Sequence, residues 1–146
     1  MRISQQELAD GFRFAGRRAG AATTYTSDWD HSPNGGWTMR ETFAHLAAWS
    51  GKIDLTHAVY RGETIDVDGD QMAREVLQCT AAEFEKILVD GHEADARYIE
   101  SLDPAELSRE IEIPPYNLPL AEYFGICPLN HTIYHVNDAT ARGHFR

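Results

Sequence analysis

The chain has 146 residues, 42% hydrophobic and 25% charged, the make-up of one globular domain spanning 1–146. With 13 Lys and Arg against 23 Asp and Glu, its net charge is −10 and its pI is near 5.0. Nucleic acids and anionic membrane surfaces are bound through basic residues that neutralise phosphate, so neither is an expected partner.

The opening Met1 to Glu7 carries no apolar run, and a cytoplasmic protein is expected. Ser4 with Glu7 makes a capping box that opens a first helix, and Leu8, Phe12, Ala15, Ala19 and Ala22 follow at helical spacing. Gly11, Gly16 and Gly20 weaken this helix, so packing has to hold it. Asp28 to Gly36 is a loop by composition. Thr38 with Glu41 gives a second box, with Trp37 placed as a hydrophobic staple, and the pattern stays helical to about Tyr60. Gly62 to Asp70 is an acidic loop. Its Asp66, Asp68 and Asp70 do not make a calcium site, because Gly69 is misplaced and Leu77 stands where a bidentate Glu belongs.

A long third helix is predicted from about Asp70 to Leu102, with Gly91 as a point of bending. Asp103-Pro104 restarts a short turn. Glu110 to Pro119 is rich in proline and reads as a long irregular loop, with room for only a short extended piece. The last helix covers Leu120 to Arg142, with Pro128 as its kink or its true start. Four helices joined by loops predict an all-α antiparallel four-helix bundle. No run of apolar residues is long enough for a membrane span. Cys79 and Cys127 form no CxxC pair, which argues against a disulfide framework and a cysteine-built zinc site.

Among the seven histidines, His131 and His135 are the informative pair. Four apart on a helix, they can share one ion. Asp138 and Arg142 continue their face together with Leu120 and Phe124, while Leu129, Ile133 and Val136 take the opposite one. A polar seam of this kind needs partners, and a metal with a carboxylate behind it would supply them. His45, at the flank of the second helix's apolar stripe beside Trp49, is the best third ligand. A packed, hydrogen-bonded core histidine is its alternative reading. Asp138 reads either as an ion pair with Arg142 or as a catalytic group that orients an imidazole or accepts a proton. Glu41 reads as a cap and Cys127 as a buried structural cysteine. His31, His57, His92 and His144 have no partner at ligand spacing and read as surface or packing residues.

The segment from Trp37-Thr38 through Glu41 to His45-Leu46-Ala47-Ala48-Trp49 resembles the W-(T/S)-x-x-E-x-x-x-H-L-x-x-W opening of the second helix in the DinB-like, or YfiT-like, four-helix-bundle superfamily. His131-xxx-His135 is similar to that superfamily's closing H-xxx-H, and Val67-Asp68-Gly69-Asp70 sits where its members often carry an acidic loop. The resemblance implies one zinc or nickel ion on His45, His131 and His135, and a homodimer, which the glycine- and alanine-rich first helix also favours because its small side chains permit close approach. Val136-Asn137-Asp138 departs from the frequent H-R-G-Q ending and looks more like the thiol-dependent branch that includes mycothiol-dependent maleylpyruvate isomerase.

Three neutral imidazoles would leave a divalent ion an open position, as in catalytic sites. The expected function is therefore a metal-dependent enzyme acting on a small-molecule substrate, by hydrolysis or by transfer or isomerisation with a low-molecular-weight thiol as co-substrate. Two alternatives stay open: a non-catalytic metal-containing bundle that binds a small molecule, and a dimerising bundle whose histidines form a polar core network.

Overall fold

The computed structural model describes residues 2–33 and 35–142, with the side chains of 141 and 142 outside the description. Two antiparallel helices of 21 residues, α1 (Gln5–Tyr25) and α5 (Ala81–Ser101), form its long axis. At one end the Gln5 amide donates to the carbonyls of Ile99 and Leu102. Midway, Arg13 bridges Glu93 and Glu100, and at the far end the Thr23 hydroxyl reaches the Ala81 carbonyl. Each helix opens with a capping box, Ser4–Glu7 and Thr80–Glu83. The glycines that weaken α1 in isolation admit α5: a Cβ on Gly16 would lie 2.5 Å from that of His92. Gly16, Ala19, Gly20 and Ala22 are buried within the chain, so the small-residue face that favours close approach is occupied by the chain's own helix.

The predicted second helix is two helices. α2 (Met39–Trp49) stops at Ser50, Gly51 takes φ +77°, and α3 (Ile53–Tyr60) begins after Lys52. That backbone conformation crowds any Cβ, which is why glycine stands there. The predicted third helix also divides, into α4 (Gly69–Val76) and α5, because Thr80 starts a new capping box. α5 runs on through Gly91, which is the docking point for the α2–α3 break: a Cβ there would collide with Ser50.

After α6 (Pro104–Leu107) the expected irregular loop is an antiparallel hairpin of β1 (Glu110–Ile113) and β2 (Tyr116–Pro119). Its prolines exclude helix yet sit where a ladder asks least of them. Pro114 and Pro115, joined by a cis bond, make the turn, and Pro119 closes the last strand position. Among the described residues the fold is thus mostly helical with one small sheet.

α7 (Leu120–Phe124) passes through a π-helical turn, Gly125–Leu129, into α8 (Asn130–Arg142). Pro128 lies inside that turn and has no N–H for the helical ladder. The wider turn changes the phase between α7 and α8, so Leu120 and Phe124 do not continue the histidine face. Phe124 packs instead on His57 and Tyr60. One core cluster gathers Leu8, Phe12, Ile99, Leu120 and Phe124, and a second gathers Phe43, Leu46, Phe84, Leu88 and Val136. Each buried Phe contributes about 2 to 3 kcal/mol of transfer free energy. Among the described residues no helix is long and apolar enough to cross a membrane.

Candidate metal centre

α2 and α8 bury Phe43, Leu46 and Ala47 on one side and Thr132, Val136 and Ala139 on the other. The residues flanking these stripes, His45 on α2 and His131 and His135 on α8, are left half-buried at the seam between the helices. Their Nε2 atoms converge: His45 to His131 is 3.0 Å and His135 to His131 is 3.1 Å. All three ligand atoms lie within 4.8 Å of one another. The histidine pair singled out by spacing and the third histidine expected from the second helix are therefore together.

The donor set fits a divalent ion. Nε2 of a neutral imidazole has either one proton or one lone pair, so His131 can complete only one of its two close N···N contacts as a good hydrogen bond. A cation between the rings satisfies all three lone pairs at once. Tetrahedral coordination at metal–nitrogen distances of 2.0–2.1 Å sets nitrogens about 3.3 Å apart, close to the separations found. Burial, the largest cause for each ring, holds all three below the usual histidine range, and His131 falls to about 4 with the neighbouring rings adding to the effect. Neutral rings keep the lone pairs that a metal needs.

Two carboxylates face this cluster: Asp70 raises the proton affinity of His45, and Asp138 that of His135. Asp138 shares a surface pocket with His135, while the Arg142 side chain of its alternative ion pair lies outside the described residues, as does His144. Trp37 covers the solvent side. Its ring lies 4.7 Å from that of His45 and 5.9 Å from that of His135, so the expected staple residue serves as a wall of the site. Glu41 is a cap, as its spacing predicts.

On the inner side His45 and His131 open onto a cavity of about 220 Å³. Phe12, Leu46, Trp49, Ile53 and Pro128 give it apolar walls, and Cys127 lines it from the π turn. Cys127 is exposed, contrary to its expected burial, and its thiol neighbours the Tyr60 hydroxyl, which burial pushes above the usual tyrosine range. The polar floor is His92. Its Nδ1 is 2.8 Å from the Leu88 carbonyl, so Nδ1–H donates there, and bare Nε2 accepts from the Thr132 hydroxyl at 3.1 Å. Spacing gives no sign of His92, because its side-chain partners, Ser50 and Thr132, come from the end of α2 and from α8.

His57 belongs elsewhere. It is buried between the Tyr98 hydroxyl at 2.8 Å and Glu106 at 2.7 Å, and Arg109 holds Glu106 in turn. Those contacts tie α3, α5 and α6 together. No family model, curated protein or solved structure matches the chain.

Proposed function

We propose that the chain is a metal-dependent enzyme of the DinB-like four-helix-bundle type, with one zinc or nickel ion on His45, His131 and His135. It acts on a small molecule by hydrolysis or by thiol-dependent transfer or isomerisation. The observation that carries this reading is the meeting of three Nε2 atoms, 3.0 and 3.1 Å apart, at the mouth of a mainly apolar cavity. A closed structural site would need a fourth protein ligand, and the described residues bring only these three together.

A divalent ion in this position supplies Lewis acidity, polarising a substrate oxygen or acidifying a water or thiol. The chain's own residues do the remainder. Trp37 keeps bulk water from His45 and His135, and the apolar walls lower the local dielectric so that charge developing at the triad is felt strongly. Asp70 and Asp138 offset a double positive charge, and Asp138, beside His135, is placed to accept a proton. Thr132 presents a hydroxyl whose own proton is already given to His92, so it offers the substrate an acceptor.

Metal content per chain, measured by plasma mass spectrometry on the wild type and on His45→Ala, His131→Ala and His135→Ala, tests this. One zinc or nickel per chain, lost in each variant while the far-ultraviolet spectrum stays helical, is the expected result. Wild type that cannot be loaded with either metal would remove the reading. Turnover of electrophilic substrates with and without added thiol then separates hydrolysis from thiol-dependent transfer.

A further inference from the structure

We infer that the cavity beside the histidine triad takes an elongated molecule with an anionic end, held at Lys52, while an apolar middle carries its other end to the triad. The inference rests on the metal-centre reading for what meets that other end. One wall of the cavity is a single stretch of chain, with His45 at one end, Trp49 between, and Lys52 and Thr56 beyond. His45 and Lys52 are seven residues apart, four of them along α2, about 6 Å at the helical rise, and the rest through the turn at Gly51. Between them Phe12, Leu46, Trp49 and Pro128 offer apolar surface and no formal charge.

Lys52 is the one lysine or arginine among the described residues lining this cavity. It is half-buried, and among the described residues its ammonium makes no hydrogen bond or ion pair. The carboxylate that shares the cavity, Asp95, feels the charge of Lys52 but makes no ion pair with it among the described residues. Both Asp95 oxygens already accept backbone N–H groups, from Gly51 and Ile53 at 3.0 Å each. Lys52 is a half-buried cation whose charge reaches Asp95 without a hydrogen bond or ion pair among the described residues, and in a chain of net charge −10 it is the point in this cavity that attracts an anion while the rest of the surface repels one. The size agrees: a cavity of about 150 Å³ accepts benzene, so about 220 Å³ accommodates a short chain or a ring with a side chain. The ligand class is a carboxylate-bearing molecule with an apolar body and a metal-reactive far end.

The test uses 6-mercaptohexanoate, a thiol with a carboxylate at the far end of an apolar chain, and hexanethiol, which lacks the carboxylate. Both are titrated into cobalt-loaded protein and followed by thiolate-to-cobalt absorption, for the wild type, Lys52→Met and Lys52→Arg. Lys52→Met is expected to weaken 6-mercaptohexanoate about fivefold, the upper range of a partly exposed ion pair, and to leave hexanethiol unchanged. Lys52→Arg should restore the carboxylate ligand. Unchanged hexanethiol binding shows that the Lys52→Met cavity is intact. If Lys52→Met affects both ligands equally, or neither, the inference is overturned while the metal reading stands. If cobalt does not load, both fall together.

Discussion

The carboxylate of Asp95, on α5, accepts the backbone N–H of Ile53 at 3.0 Å and so caps α3 from a different helix. Lys52, at the N-cap position of α3, makes no side-chain cap of its own. The other Asp95 oxygen takes the N–H of Gly51, so a single side chain fixes both sides of the break between α2 and α3. This break aims Trp49 and Lys52 along the cavity.

Burial outweighs those two donors and pushes the Asp95 carboxyl up to about 6. The fold therefore favours the protonated form more than the unfolded chain does, and stability falls as pH rises from about 4 to about 6. Asp95→Asn removes that slope. It also leaves one backbone N–H facing an amide NH₂, at a cost of about 1 to 3 kcal/mol at pH 7. Thermal unfolding across this range checks both parts; an unchanged midpoint at pH 7 would contradict the capping role.

Metal removal should destabilise the protein only where the triad is complete. At a free metal concentration a thousand times the dissociation constant, binding contributes about 4 kcal/mol. A chelator is expected to lower the melting temperature of loaded wild type and to leave His131→Ala unmoved. Calorimetry with and without chelator reads the difference.

Trp37 stacks on His135 and lies tilted against His45, so a paramagnetic ion at the triad should quench its fluorescence. Cobalt loading is expected to dim the wild type more than Trp37→Phe, once emission is compared with that of each metal-free protein. Trp37→Ala should also speed metal loss to chelator several-fold, by admitting water. Equal quenching in wild type and Trp37→Phe would place the ion elsewhere.

Gly91 and Gly62 separate two reasons for glycine. A Cβ on Gly91 would meet both the side chain and the backbone of Ser50, whereas Gly62 has φ +83° and open space around it. Gly91→Ala is expected to cost about 2 to 3 kcal/mol through overpacking, and Gly62→Ala about 1 kcal/mol through backbone strain. Denaturant midpoints rank the two; Gly62→Ala as the costlier variant would contradict the packing argument.

Arg109, and His57 after it, hold Glu106 down to about 2. A depressed carboxyl contributes stability above its unfolded value near 4.5, and that contribution is lost as pH falls from there through about 2. Glu106→Gln should cost about 1 to 2 kcal/mol at pH 7, with screening limiting the figure, and should flatten the acid limb of unfolding.

The parts of this molecule legible in its sequence are those written in local spacing. The capping boxes at Ser4 and Thr38, the helical stripe of α1 and the i, i+4 pair His131 and His135 each concern neighbours within one turn. His45 needed a resemblance as well as a flank position. What could not be read depends on contacts across the fold. The division at Gly51 is stabilised by Asp95 from 44 residues away, and His92 acquires its role from Thr132 and Ser50. Thr80 with Glu83 repeats the signature of the two boxes before it, yet the helix expected from Asp70 to Leu102 runs straight through it. The apolar run on either side hides it. The hairpin escaped because proline argues against strand in general and only its position at the turn and strand end permits one.

The π turn at Gly125–Leu129 also sets a rule for how the gene can change. One residue of an α-helix is worth about 100° of rotation, and a π turn is in effect a residue inserted into the coil. Deleting Ile126 would relax the segment toward continuous helix and turn α7 against α8 by about that angle. Either Leu120 and Phe124 would swing out of their core or the histidine pair would swing away from His45. The spacing between Phe124 and His131 is therefore a timing interval as fixed as any ligand. The hairpin's tip, exposed on every side, is where length is free to drift.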